Sequence, residues 1–277
     1  KKQCSWVPKF GMNRVPKWVW FCTEPDNFTD SELFRVGYDL EHQFNDQWQI
    51  RNAFEYSNRD LLNVSALPLD FDEITGFVTR FPSKQELDTE NFSLQTNIVG
   101  EFDTGSVSHT LLAGVDLNRT EDSEVTGFDF FNPSFLDIFN PIYGLTSIDE
   151  DNLPLFRDTD IQTDRLGIYL QDQIDITDNL ILLAGVRYDT VEQKTINNST
   201  DVDPTGSETT QNDDAWTPRV GIVYQPVDFL SLFASYSQSL PPTLIPPPLG
   251  LPSNLRKVKN LKSVLKLNYW KGTCLQP

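Results

Sequence analysis

The chain has 277 residues, a formal net charge of −18 and a sequence pI of about 4.4. That length allows one or two packed domains, and the acidity argues against a nucleic-acid partner. No apolar run reaches the roughly 18 residues of a membrane helix, so any crossing of a bilayer must be made by strands.

Charge divides the chain into three. All 40 acidic residues lie between Glu24 and Asp228. Residues 1–23 hold five basic side chains and residues 241–277 six, against 11 in residues 24–240. All three cysteines (Cys4, Cys22, Cys274) and four of the six tryptophans also fall in the two ends. So abrupt a shift predicts a basic head (1–23) and a Pro/Lys-rich tail (241–277), both disordered and foreign to the acidic middle (24–240). The head is broken by Pro8, Lys9, Arg14, Pro16 and Lys17 and lacks the continuous apolar core of a signal peptide. The cysteine spacings match no metal site.

Through the middle, apolar and polar residues alternate with a period of two, which predicts strands with one apolar face. In the first, Leu33 to Phe44, the residues Phe34, Val36, Tyr38 and Leu40 oppose Arg35, Asp39 and Glu41. After a turn at Asn45-Asp46-Gln47, Trp48, Ile50, Phe54 and Tyr56 repeat the pattern. Residues 58–88 read as a polar connection holding a short extended piece, Ile74 to Phe81. Phe92, Leu94, Ile98 and Phe102 mark the next strand, and after Thr104-Gly105-Ser106 come Leu111, Ala113, Val115 and Leu117. A long connection, Thr120 to Asp160, carries Phe128, Phe130, Phe131, Phe135, Phe139 and Tyr143 among carboxylates. Then Leu166, Ile168, Leu170, Ile174 and Ile176 share one parity, broken by Asp172, and return beyond Thr177-Asp178-Asn179 as Leu180, Leu182, Ala184 and Val186. A polar connection, Val191 to Asp214, precedes a last pair turning at Pro226-Val227-Asp228.

These strands exceed the five or six residues of an ordinary soluble strand and reach the 9 to 11 or so needed to cross a bilayer at a tilt. Aromatic residues mark the ends of the apolar face, as at a membrane interface. Turns near residues 45, 105, 178 and 227 are short and the connections between them long, the asymmetry of an outer-membrane barrel. The runner-up reading is a soluble β-rich carbohydrate-binding module using the same loop aromatics, and detergent dependence separates the two.

Several motifs resemble the barrel of TonB-dependent ferric siderophore receptors. They are Tyr38-Asp-Leu-Glu-His-Gln-Phe-Asn45, Trp48-Gln-Ile-Arg-Asn-Ala-Phe54, His109-Thr-Leu-Leu-Ala-Gly-Val-Asp116, Asp137-Ile-Phe-Asn-Pro-Ile-Tyr-Gly144, Tyr169-Leu-Gln-Asp-Gln173, Leu183-Ala-Gly-Val-Arg-Tyr-Asp189, Thr217-Pro-Arg-Val-Gly221 and Leu232-Phe-Ala-Ser-Tyr-Ser237. The resemblance implies an all-β fold: a partial up-and-down antiparallel transmembrane β-barrel, with about eight long strands of a barrel of about 22 strands and no plug domain. It also implies a location in the outer membrane of a Gram-negative cell, a ferric siderophore as transported ligand with no cofactor, and energy from the TonB-ExbB-ExbD system. The TonB box is expected to be absent, and the fragment alone inactive in transport. The ligand would pack on the loop aromatics Phe130, Phe131, Phe135, Phe139 and Tyr143. After Leu240, prolines 241, 242 and 246–248 cannot continue a central strand.

Other signals are weaker. His42 and His109 read as structural. The acidic clusters Asp116 to Glu124 and Asp149 to Asp151 read as solvated surface rather than calcium sites. Asn118-Arg-Thr120 is one of several Asn-x-Ser/Thr triplets in what read as polar loops. Leu255, Val258, Leu261 and Leu265 recur at helical spacing, either an accident of an unselected tail or a basic amphipathic helix on anionic lipid over Leu255 to Leu267. No nucleophile elbow, phosphate loop or metal-spaced histidine cluster is present, so no enzyme is expected.

Overall fold

A computed structural model describes residues 24, 27–144, 148–227, 229–239 and the backbone of 258–267. The strands are β1 (Phe28–Gln43), β2 (Trp48–Phe71), β3 (Phe77–Thr104), β4 (Val107–Phe128), β5 (Ser134–Asp137), β6 (Leu155–Thr177), β7 (Leu180–Asn197), β8 (Ser207–Val227), β9 (Leu230–Ser239) and β10 (Val258–Leu267). They form one antiparallel sheet in which each long strand pairs with the next, while the short β5 pairs with β3.

Register decides which residues share a face, because directly opposed residues point the same way. Tyr38, Phe54, Leu94, Leu117 and Leu166 stand opposite one another across β1, β2, β3, β4 and β6. Leu180, Tyr224 and Leu232 do the same across β7, β8 and β9. The predicted apolar residues therefore merge into one continuous face. No second sheet covers it among the described residues: Phe34 is 60% exposed, Leu40 62%, Ile168 51% and Val220 53%. An apolar face of this extent is untenable in water and suited to hydrocarbon, which removes the case for the soluble module.

The belt has the height of a bilayer. It runs from Phe102 and His109 near the short turns to Tyr56 and Phe92 above. Ten residues at about 3.3 Å each, tilted about 40°, rise about 25 Å. Aromatic contacts close both rims: Tyr56 lies 4.7 Å from Phe92 and Tyr188 4.9 Å from Trp216, while His42 meets Phe44 at 5.0 Å at the turn end.

The strands are longer than the sequence suggests. Asn58–Phe71 completes β2 and Phe77–Asp88 begins β3, so the expected connection 58–88 shrinks to residues 72–76. Likewise β4 runs on to Phe128 and β7 to Asn197. These extensions rise beyond the belt, where water meets both faces. There the outward positions turn acidic: Glu32, Asp60 and Asp88 are consecutive partners across β1, β2 and β3.

Asp172, the exception on the apolar face, is paired. His109 Nδ1 lies 2.8 Å from Asp172 Oδ2 and His109 Nε2 2.7 Å from Thr104 Oγ1, while the imidazole stacks on Phe102. His109 is thus packed among its neighbours, whereas His42 is exposed and meets the ring of Phe44. In the tail, residues 258–267 are strand rather than helix or disordered chain, with Leu261 opposite Tyr236 and Leu265 opposite Leu232. A spacing of four residues fits one strand face as well as one helix face. The head, the proline run and Leu255 lie outside the described residues.

Candidate functional site

The opposite face of the sheet is polar and concave, enclosing about 1240 Å³. At its centre Arg187 on β7 donates through Nη1 to Asp116 Oδ2 at 2.6 Å and through Nε to Asp189 Oδ1 at 2.7 Å. Its guanidinium carbon stands 5.3 Å from the centroid of the Tyr169 ring. Two glycines make room: a Cβ on Gly167 would overlap Arg187, and one on Gly114 would strike Tyr169. Two atoms on this wall, Asp116 Oδ1 and Arg165 Nε, are buried without a hydrogen-bond partner.

Above this wall lies a phenylalanine face. Phe128 is 4.3 Å from Phe130, 5.7 Å from Phe81 and 5.7 Å from Phe156. Alternation places Phe77 on the same side of β3 as Phe81, and Phe135, on β5 opposite Thr79, shares that side. Phe77 is 41% exposed and Phe135 61%.

The other side of the β3 extension is buried by the loop that follows β4. Val78, Leu136 and Ile138 form a small core, with Phe71 and Tyr143 packed on it. Beneath them Arg80 Nη2 donates to Glu24 Oε1 at 2.6 Å, and the Gly144 amide donates to Glu24 Oε2 at 2.6 Å. Both charged residues are almost fully buried, Glu24 at 3% exposure and Arg80 at 1%. The pair joins the approach to β1, the start of β3 and the loop tip. The ring of Phe139 covers Gly76, whose φ of +79° a side chain would strain. Gly76→Ala is therefore expected to loosen this loop, read as faster proteolysis within residues 129–144, whereas Gly105→Ala, with open space around its Cβ position, should strain only its turn.

The five aromatics singled out from sequence divide accordingly. Phe130 and Phe135 face the mouth, Phe131 projects at the tip with 88% exposure, and Phe139 and Tyr143 pack within the loop. Phe77, Phe81 and Phe156 also belong to the mouth and escaped sequence reading as ligand contacts, and Phe128, read as part of the long connection, ends β4 there. The alternation of Phe77, Thr79 and Phe81, and the parity of Phe128 with Asp116, are the signals that point to them. The Asp116 to Glu124 cluster is strand, not loop: Asp116 holds Arg187, Asp122 accepts from Thr89 and Glu124 from Gln85. Asn118 likewise sits in β4, donating to Asn91. The described residues include no group of His, Cys, Asp and Glu arranged to hold a metal ion.

Comparison with known proteins agrees with this architecture. A family described as TonB dependent receptor-like, beta-barrel, matches residues 8–250, past the composition borders at 24 and 240. The metal-pseudopaline receptor CntO of Pseudomonas aeruginosa is 28% identical over 85% of the chain and 33% of its own length. The ferrichrome outer membrane transporter/phage receptor of Escherichia coli is 27% identical over 86% of the chain and 35% of its own length. The solved siderophore receptor PiuA from Acinetobacter baumannii superposes with a TM-score of 0.67 at 23% identity, over 78% of this chain and 33% of that one. The chain thus spans about a third of the length of the relatives it matches. With its single antiparallel sheet, lipid-facing belt and polar inner wall, the chain belongs to the TonB-dependent receptor-like β-barrel family, as a segment of the barrel wall.

Proposed function

We propose that this segment forms the wall and outer mouth of an outer-membrane receptor for ferric siderophores. The observation that carries the reading is the division of one sheet into a bilayer-high apolar face and a polar, concave inner face topped by phenylalanines. The inner wall would pack on a plug, whose polar groups would satisfy Asp116 Oδ1 and Arg165 Nε. The chelate would first meet Phe77, Phe81, Phe128, Phe130 and Phe135, and the iron is cargo rather than a resident cofactor. TonB, with ExbB and ExbD, would energise the assembled receptor.

Binding and transport separate on this reading. The mouth lies within one sheet, so the chain in lipid nanodiscs should bind a ferric siderophore saturably. The same chain in outer-membrane vesicles should import none, because a wall about a third the length of its relatives, with β1 paired on one side only among the described residues, closes no transport channel. Tryptophan quenching reads the first and radioactive iron uptake the second. A folded chain that binds no ferric siderophore would overturn the proposal.

A further inference from the structure

The entrance is charged with one sign. Between the long strands, the outer connections 72–76, 129–154 and 198–206 carry nine acidic residues and no lysine or arginine. Each connection holds an aspartate whose carboxylate form is favoured by hydrogen bonds from its own turn. Thr75 and the Ile74 and Thr75 amides hold Asp72 below the usual carboxylate range. Asn132, then the Phe131 and Asn132 amides, do so for Asp129, and Thr205 for Asp203. Deeper in, three arginines and four aspartates line the concave wall, and Arg187 is already shared between Asp116 and Asp189. Arg80 is committed to Glu24. Arg80 and Arg187 are thus held by carboxylates, and Arg165 and Arg219 lie deeper, on a wall where aspartates outnumber arginines, while phenylalanines stand exposed at the mouth.

Resting on the receptor function proposed above, we infer that this mouth admits chelates without net negative charge, preferring a cationic ferric tris-hydroxamate, and rejects trianionic tris-catecholates. Three hydroxamates, each a monoanion, neutralise ferric iron, and a pendant ammonium makes the complex cationic. Three catecholates, each a dianion, leave it trianionic. A carboxylate-lined funnel raises the local concentration of the cation and repels the trianion, and an ammonium over a phenylalanine ring gains a cation–π contact. The trianion would shed its hydration among outer connections that carry carboxylates and no lysine or arginine.

The test uses the 277-residue chain in nanodiscs of zwitterionic lipid, titrated with a cationic ferric tris-hydroxamate, its neutral counterpart and a ferric tris-catecholate. At about 0.01 M salt the cationic chelate should bind at least about tenfold tighter than the trianion, and the ratio should shrink at about 0.15 M. Replacing Asp149, Glu150 and Asp151 together by Asn, Gln and Asn should narrow the ratio and leave affinity for the neutral chelate unchanged. Equal binding of all three chelates, insensitive to salt, would overturn the inference and leave the receptor function standing, as would tighter binding of the trianion. A folded sheet that binds none would overturn both.

Discussion

Arg80→Ala should detach the outer loop from the barrel wall. The substitution strands the Glu24 carboxylate, 3% exposed, with only the Gly144 amide among its contacts described above. Removing one partner of a buried ion pair costs about 3–5 kcal/mol. The cost falls on the outer cap alone, because the belt strands are held by their own ladders. Limited proteolysis should then cut within residues 129–154, while the heat-modifiable mobility of the sheet persists. Glu24→Leu combined with Arg80→Met should restore most of the protection, since an apolar pair of similar volume leaves no stranded charge. Unchanged proteolysis of Arg80→Ala would show that the pair does not hold the loop.

The second large effect lies at mid-belt. Leu170 sits opposite Ala113 and Val186 near the middle of the apolar face and is 48% exposed. A guanidinium there faces hydrocarbon, and Leu170→Arg should cost about 2–4 kcal/mol, as charged substitutions do at the midplane of membrane barrels. Gln173 points to the lumen and donates to Asp175 at 3.4 Å, so Gln173→Arg should change stability by no more than about 0.5 kcal/mol. Urea midpoints of the two variants in lipid vesicles read the difference.

The outer loops add a dependence on pH. The folded structure depresses Asp72, Asp129 and Asp203 through hydrogen bonds to their own turns. Their contribution is present above the unfolded carboxylate range and is lost as pH falls through the folded values. Amide exchange in residues 72–76, 129–132 and 203–206, corrected for its intrinsic pH dependence, should therefore quicken in acid before exchange in the belt strands changes.

What the sequence disclosed follows from where lipid imposes a pattern. Inside the belt one face must be apolar, so Leu166, Ile168 and Leu170 announce a strand and its orientation, and the short turns fix the order. Above the belt water reaches both faces and the constraint vanishes. Asn58 and Asp60 face outward and Arg59 and Leu61 inward, with no alternation to read, so the upper halves of β2 and β3 passed for loop. The long-range partners were equally hidden. Glu24 and Arg80 are 56 residues apart and His109 and Asp172 63 apart, and no local spacing reports either pair. The mouth was half visible for the same reason: Phe130 and Phe135 stood out in a polar stretch, whereas Phe81 needed the register of β3, and Phe156, at a register shift in β6, is placed by its ring contacts with Phe128 and Phe130.

The belt itself is most directly tested by nitroxide scanning along β6, residues 165–177, in lipid vesicles. Labels at 166, 168, 170 and 174 should collide with dissolved oxygen and little with a water-soluble nickel chelate, and labels at 165, 169, 171 and 173 should show the reverse. Uniform access of the nickel chelate to both sets, or an even-numbered set shielded from both probes, would contradict a lipid-facing barrel wall.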